Sequence, residues 1–95
     1  MPPLGDDQLH AALAALPGWG VAEGMLVKAF TFDEGFLSGI RFVDAVADAA
    51  EAADHHPDID IRWTTVTIRL VTHSEGGITE MDLALAGVCD RLAAG

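Results

Sequence analysis

The spacing of apolar residues predicts short helices and strands in alternation. Within residues 6–16 leucines recur at intervals of three and four, which predicts a short amphipathic helix that ends before Pro17. The next two segments, 19–23 and 25–32, contain alternating apolar positions and are predicted to be strands joined near Gly24. The chain is therefore expected to open with a helix followed by a β-hairpin.

A longer helical pattern covers residues 33 to about 53. Its apolar positions follow steps of four and three, at Phe36, Ile40, Val43, Ala47 and Ala50. Alanine dominates its second half, which allows close approach to a sheet or to another helix. Pro57 restricts the residue before it to extended conformations, so we expect the helix to end at about His55 and the chain to be extended at His56.

Residues 58–63 and 66–72 form the clearest predicted hairpin, with Thr64 and Thr65 as its turn. That register pairs Ile59 with Leu70, Ile61 with Ile68, Trp63 with Val66, and Asp60 with Arg69. Trp63 then faces the apolar side of the sheet and is predicted to pack in the core. Because Thr-Thr is a poor two-residue turn, a longer loop or a bulge would shift this register.

The last helix is predicted to begin after Thr79, which serves as its N-cap, with Asp82 at the third position. Its buried stripe is predicted to be Met81, Leu85, Val88 and Leu92. The order α-β-β-α-β-β-α predicts an α+β fold, in which a four-stranded antiparallel sheet carries its helices on one face. Residues 1–95 are short enough to form a single domain.

Composition narrows the class of partner. The chain carries 15 acidic and 5 basic residues, a net charge of −10, dispersed along its length. Nucleic-acid phosphates and anionic lipids would be repelled, so a small molecule is the expected partner. No apolar run is long enough to span a membrane. The single cysteine, Cys89, is interpreted as helix filling; it cannot form an internal disulfide, which indicates a reducing, cytoplasmic location.

Three histidines are predicted to converge. Extending the second hairpin outward places His56 opposite His73, while His55 lies at the end of the long helix with Glu51 one turn earlier. Imidazoles exchange protons near neutral pH, so this cluster suits general acid and base catalysis. Taken singly, each histidine is more simply a surface or core residue. Together with Asp82 they also suit a metal site, although adjacent histidines point to different sides, and no metal is predicted.

The spacing of these residues resembles that of the pterin-4a-carbinolamine dehydratase family over nearly the whole chain. The positions that carry the resemblance are Glu51, His55, His56, Pro57, Trp63, His73 and Asp82. The resemblance implies that the protein dehydrates 4a-hydroxytetrahydropterin to quinonoid dihydropterin, without a metal or another cofactor. It implies catalytic roles for His55, His56 and His73, in which His55 and His73 transfer protons and His56 orients the pterin ring.

The same resemblance implies the residues that surround the substrate. They are Glu51, which would act on His55, together with Pro57, Thr72, Ser74 and Asp82, and the backbone near Thr72 and Ser74 would bond the amide edge of the pterin. Glu75 occupies a turn position that is often small or uncharged in relatives. A homodimer or a dimer of dimers is expected.

One alternative is a non-catalytic interaction module. Relatives of this fold serve as dimerisation cofactors for a transcription factor or as assembly factors for carbon-fixing enzymes. The presence of all three histidines favours the enzyme.

Overall fold

The computed structural model describes residues 2–95, which form three α-helices and a four-stranded antiparallel sheet. In chain order the elements are α1 (Asp6–Leu13), β1 (Gly20–Ala22), β2 (Met25–Thr31), α2 (Phe36–Ala53), β3 (Asp58–Arg62), β4 (Thr65–Leu70) and α3 (Glu80–Ala94). The strands lie in the order β1-β2-β4-β3. The predicted α+β class and element order are confirmed.

The core lies between one face of the sheet and the helices α2 and α3. Alternate residues of the two central strands are buried, as period-two alternation requires. The buried apolar residues include Leu26 and Phe30 of β2, Val66, Ile68 and Leu70 of β4, Phe42 and Val46 of α2, and Leu85, Ala86 and Cys89 of α3. Helix α1 has no fully buried residue and covers the edge of this core.

Helix α1 is shorter than the pattern predicts, since it ends at Leu13. The N–H groups of Ala15 and Leu16 donate to carbonyls three residues earlier, so the last turn is tightened. Leu16 precedes Pro17, which disfavours α conformation at that position, and this explains the early end.

The predicted register of the second hairpin is wrong by two residues. Ile59 pairs with Ile68, Asp58 with Arg69, and Asp60 with Thr67. The turn is Trp63 and Thr64, and Trp63 has φ of 54°, the left-handed value that tight hairpin turns need. A shift of two preserves which side chains share a face, so the apolar alternation fits both registers and cannot choose between them.

The predicted core position of Trp63 is also wrong. As a turn residue it lies beyond the last strand pair, and 78% of its surface is exposed. With β3 beginning at Asp58 and β4 ending at Leu70, His56 and His73 both lie outside the strands. The predicted His56–His73 cross-strand pair is therefore not formed.

The buried face of α2 differs from the predicted stripe. The helix buries Gly39, Phe42, Val46 and Ala50, whereas Phe36 is 46% exposed. The ring of Phe42 packs against those of Phe30 and Phe32, with centroids 4.9 and 5.1 Å away, and this aromatic cluster fixes the orientation of the helix. Because alanines occur around the helix, the apolar spacing fits more than one face.

A polar cluster joins α3 to β2 and to the loop after α1. Both carboxylate oxygens of Asp90 accept from the indole N–H of Trp19, at 3.0 and 3.1 Å, and Lys28 Nζ lies 2.8 Å from Oδ1. Trp19 is only 6% exposed, so Asp90 satisfies a buried donor. Lys28 also donates to the carbonyl of Pro17, at 3.0 Å.

Asp90→Ala is expected to lower the free energy of unfolding by about 1–3 kcal/mol, because it leaves the Trp19 N–H unsatisfied. Urea unfolding followed by circular dichroism measures this loss. Asp48→Ala is the matched control, since Asp48 is an exposed helical aspartate and the gain in helix propensity is the same. Equal stability of the two variants would contradict the prediction.

Candidate active site

The site is organised around Asp82, which is completely buried. Its Oδ1 lies 2.5 Å from His55 Nε2, and its Oδ2 accepts from the hydroxyl of Thr72 at 2.9 Å and from the backbone N–H of Thr79 at 2.8 Å. The hydroxyls of Thr72 and Thr79 are themselves 2.8 Å apart. A buried carboxylate therefore holds groups from three segments of the chain, which is how a buried acidic residue is stabilised.

Each of these segments reaches Asp82 for a local reason. Thr79 is the N-cap of α3 and Asp82 its third residue, so the predicted capping box is confirmed. Thr72 follows β4 and forms an isolated bridge with Gly77, which holds it beside the start of α3. The sequence predicts only a cap at Thr79, because it gives no sign of the bond between the Thr79 and Thr72 hydroxyls.

His55 reaches the site because α2 ends on a left-handed residue. Asp54 has φ of 50°, and its N–H donates to the carbonyls of Ala50 and Glu51. The chain therefore turns sharply after Ala53, and the buried His55 ring comes to Asp82. Donation from Nε2 to the carboxylate leaves the other ring nitrogen, Nδ1, to exchange a proton.

Glu51 contacts His56, which corrects its predicted contact with His55. Glu51 Oε1 lies 2.6 Å from His56 Nε2, and both side chains are exposed. The predicted contact requires a helix that continues through His55, whereas α2 ends at Ala53 and the turn at Asp54 directs His55 inward and His56 outward. Pro57, half-buried, separates this pair from the first residue of β3.

His73 lies in a short 3-10 turn, His73–Glu75, directly after Thr72. It lines a cavity of about 410 Å³ together with Met25, Val71 and the turn between β1 and β2. His55 lines a different cavity, of about 220 Å³, between α2 and α3. The structure thus brings His55, Asp82 and Thr72 into direct contact. His56 and His73 make no bond to this network and are the sequence neighbours of His55 and Thr72.

The other predicted substrate-binding positions differ in their exposure and in their hydrogen bonds. Ser74 and Glu75 are exposed in the turn after His73. Thr72 is buried; its N–H donates to the Gly77 carbonyl, and its carbonyl accepts from Glu75 and Gly77. Thr72 is thereby a positioning residue for Asp82, and Ser74 is the more accessible of the two predicted backbone contacts.

Cys89 is buried in α3, where burial and, to a smaller degree, the neighbouring Asp90 charge raise the pKa of its thiol to about 11. It is protonated at neutral pH and is a packing residue, as the sequence indicates. Within residues 2–95 no three His, Cys, Asp or Glu side chains are placed to hold a metal ion. Nor does any helix in that range have the length and apolarity that a membrane span requires.

Comparison with known proteins places this arrangement in one family. The model of the family described as pterin 4 alpha carbinolamine dehydratase matches residues 2–92. A relative from Mycobacteroides abscessus carries the name pterin-4-alpha-carbinolamine dehydratase. It is 61% identical to this chain over 87 residues, which cover 92% of each chain. One from Mycobacterium sp. (strain JLS), with the same name, is 58% identical over 94% of each chain.

Two solved structures share the fold. The transcriptional coactivator/pterin dehydratase from Brucella melitensis superposes with a TM-score of 0.91 at 32% identity, over 96% of this chain and 98% of that one. A pterin dehydratase-like protein, identified as a RuBisCO assembly factor in the alpha-carboxysome, gives a TM-score of 0.67 at 29% identity, over 81% and 88%.

Proposed function

Because this chain belongs to the pterin 4 alpha carbinolamine dehydratase family, we propose that it dehydrates a 4a-hydroxytetrahydropterin to the quinonoid dihydropterin. The observation that carries the proposal is the hydrogen bond between His55 and the completely buried Asp82. A buried carboxylate fixes the orientation and tautomer of an imidazole, as an acid or base catalyst needs.

The reaction needs two proton transfers. The bond from C4a to its hydroxyl breaks as that oxygen receives a proton, and the ring nitrogen N5 loses a proton as the C4a–N5 double bond forms. Imidazoles supply and remove protons at neutral pH. In this proposal His55 and His73 transfer the protons, while His56, held by Glu51, orients the pterin ring.

The position of His73 is consistent with its proposed role. His73 follows Thr72 in the chain, Thr72 binds Asp82, and Asp82 binds His55, so the two histidines are linked through this network while their rings line different cavities. Its cavity of about 410 Å³ has room for a bicyclic ring and has apolar walls at Met25 and Val71. Ser74, next in the same turn, supplies a backbone contact to the substrate in this proposal.

The direct test generates 4a-hydroxytetrahydropterin in situ and follows the appearance of the quinonoid dihydropterin. The wild type is expected to be faster than buffer, and His73→Ala to lower kcat by about 10²-fold or more. Because His73 is exposed, this variant is expected to keep the wild-type unfolding midpoint. A wild type no faster than buffer would contradict the proposed enzymatic function. An unchanged kcat in His73→Ala would contradict the proposed proton-transfer role of His73.

A second candidate function is an interaction module without catalysis. The 29% identical relative identified as a RuBisCO assembly factor favours it, since it shares this fold. The turnover measurement separates the two candidates, because an interaction module alone would not accelerate dehydration.

We also propose a cytoplasmic homodimer or dimer of dimers that takes a free pterin as its small-molecule substrate. Light scattering of the purified chain measures the subunit number.

A further inference from the structure

The cavity of about 410 Å³ that His73 lines is also lined by the turn between β1 and β2. Ala22 pairs with Met25, so Glu23 and Gly24 form a two-residue turn between them. Glu23 lines the same cavity as His73, from a segment 50 positions earlier in the sequence. A carboxylate and an imidazole thus share one cavity whose other walls include the apolar Met25 and Val71.

Glu23 is not used to hold the fold together. Its side chain is exposed and makes no hydrogen bond or ion pair within residues 2–95, and the same is true of His73. By contrast, His55 is bonded to Asp82 and His56 to Glu51. Glu23 and His73 therefore both line this cavity, and neither side chain has a protein partner within residues 2–95.

The backbone at Glu23 strengthens this point. Glu23 has φ of 55° and Gly24 φ of 76°, the pattern of a hairpin turn that favours Asn, Asp or Gly at its first position. Glutamate is not among these residues and buries nothing here in return. The two-residue turn imposes this conformation, so the fold does not call for a glutamate here, and its exposed carboxylate is available to bind a ligand.

A carboxylate in this cavity matches one edge of a pterin. The 2-amino group and the N3–H of the ring are neighbouring donors, arranged as in the fork of an arginine, and the two oxygens of a carboxylate accept from both at once. The nearby carbonyls of Thr72 and His73 already accept from Gly77 and Gly76, respectively. Resting on the proposed function, we infer that Glu23 binds the 2-amino and N3–H edge of the pterin and selects rings that carry it.

The test compares Glu23→Gln and Glu23→Asn with the wild type. Titration with 6-methyl-7,8-dihydropterin, a stable relative of the product, is expected to show binding weaker by about 10- to 100-fold in both variants. In turnover KM is expected to rise with kcat largely kept. Asparagine suits the turn, so Glu23→Asn is expected to unfold at the wild-type temperature or above it, which separates lost binding from lost structure.

A control and an altered ligand make the result specific. Glu34→Gln removes the same charge at an exposed position on a different cavity and is expected to change binding less than twofold. The 2-desamino analogue of the probe is expected to bind the wild type about tenfold more weakly than the probe itself, and Glu23→Gln is expected to bind both alike.

Three outcomes would overturn the inference. If the wild type turns over substrate and Glu23→Gln binds the probe as tightly as the wild type does, the proposed role of Glu23 is contradicted and the proposed function is not. The same holds for a wild type that does not distinguish the probe from its 2-desamino analogue. A wild type that neither binds the probe nor turns over substrate would remove both the inference and the proposed function.

Discussion

Asp82→Ala is expected to lower the free energy of unfolding by about 3–5 kcal/mol, the largest loss of any single substitution considered. The side chain is completely buried and bonds His55, the Thr72 hydroxyl and the Thr79 backbone N–H. Removing it leaves these groups without their acceptor and removes half of a capping box. Small domains are stable by only about 5–15 kcal/mol, so much of the native state would be lost.

Urea unfolding followed by tryptophan fluorescence measures this effect, because Trp19 is buried in the native state whereas Trp63 is already exposed. Glu80→Ala is the matched control, since Glu80 is also acidic and lies in the first turn of α3, but is exposed. It is expected to change stability by less than about 0.5 kcal/mol. Similar losses in the two variants would mean that the negative charge near the helix start matters, and that the buried hydrogen bonds do not.

The order of elements and the cap of α3 could be predicted because both depend on local signals. Thr79 and Asp82 are three residues apart, a spacing that satisfies helix-start N–H groups whatever the rest of the chain does. The turn at Gly24 is likewise a local signal, and the pairing of Ala22 with Met25 confirms it. Predictions of this kind need no knowledge of the tertiary structure.

The contacts of the site could not be predicted, because two backbone positions decide them. Asp54 and Trp63 are non-glycine residues with positive φ, which composition and periodicity do not indicate. The turn at Asp54 brings His55 into contact with Asp82 and leaves Glu51 in contact with His56. The turn at Trp63 moves the hairpin register by two residues and removes the predicted pairing of His56 with His73.

The proximity of Glu23 to His73 also could not be predicted from the sequence. The sequence indicates a turn at this position, but nothing in it indicates that the turn lies beside His73. That proximity arises because β2 pairs with β4, which places the start of β2 next to the end of β4. Which strands lie side by side is decided over long sequence distances, and the apolar spacing of β2 does not indicate that its neighbour is β4.

His55→Gln is expected to lower kcat by about 10²- to 10⁴-fold while changing stability by less than about 1 kcal/mol. The amide N–H of glutamine can donate to Asp82 in place of the imidazole, so the buried carboxylate keeps a partner, but an amide does not transfer protons at neutral pH. His55→Ala is expected to lose both activity and stability, since it leaves Asp82 short of one bond. Turnover assays and urea unfolding on the same preparations separate the two effects.

His56→Gln provides the contrast, because its pair with Glu51 is exposed and contributes little to stability. If His56 orients the ring and transfers no proton, this variant is expected to raise KM more than it lowers kcat. Retention of wild-type kcat by His55→Gln would show that the buried His55–Asp82 pair is structural only. The proton transfers would then have to be assigned to His56 and His73, whose accessible rings lie outside the buried hydrogen-bond network.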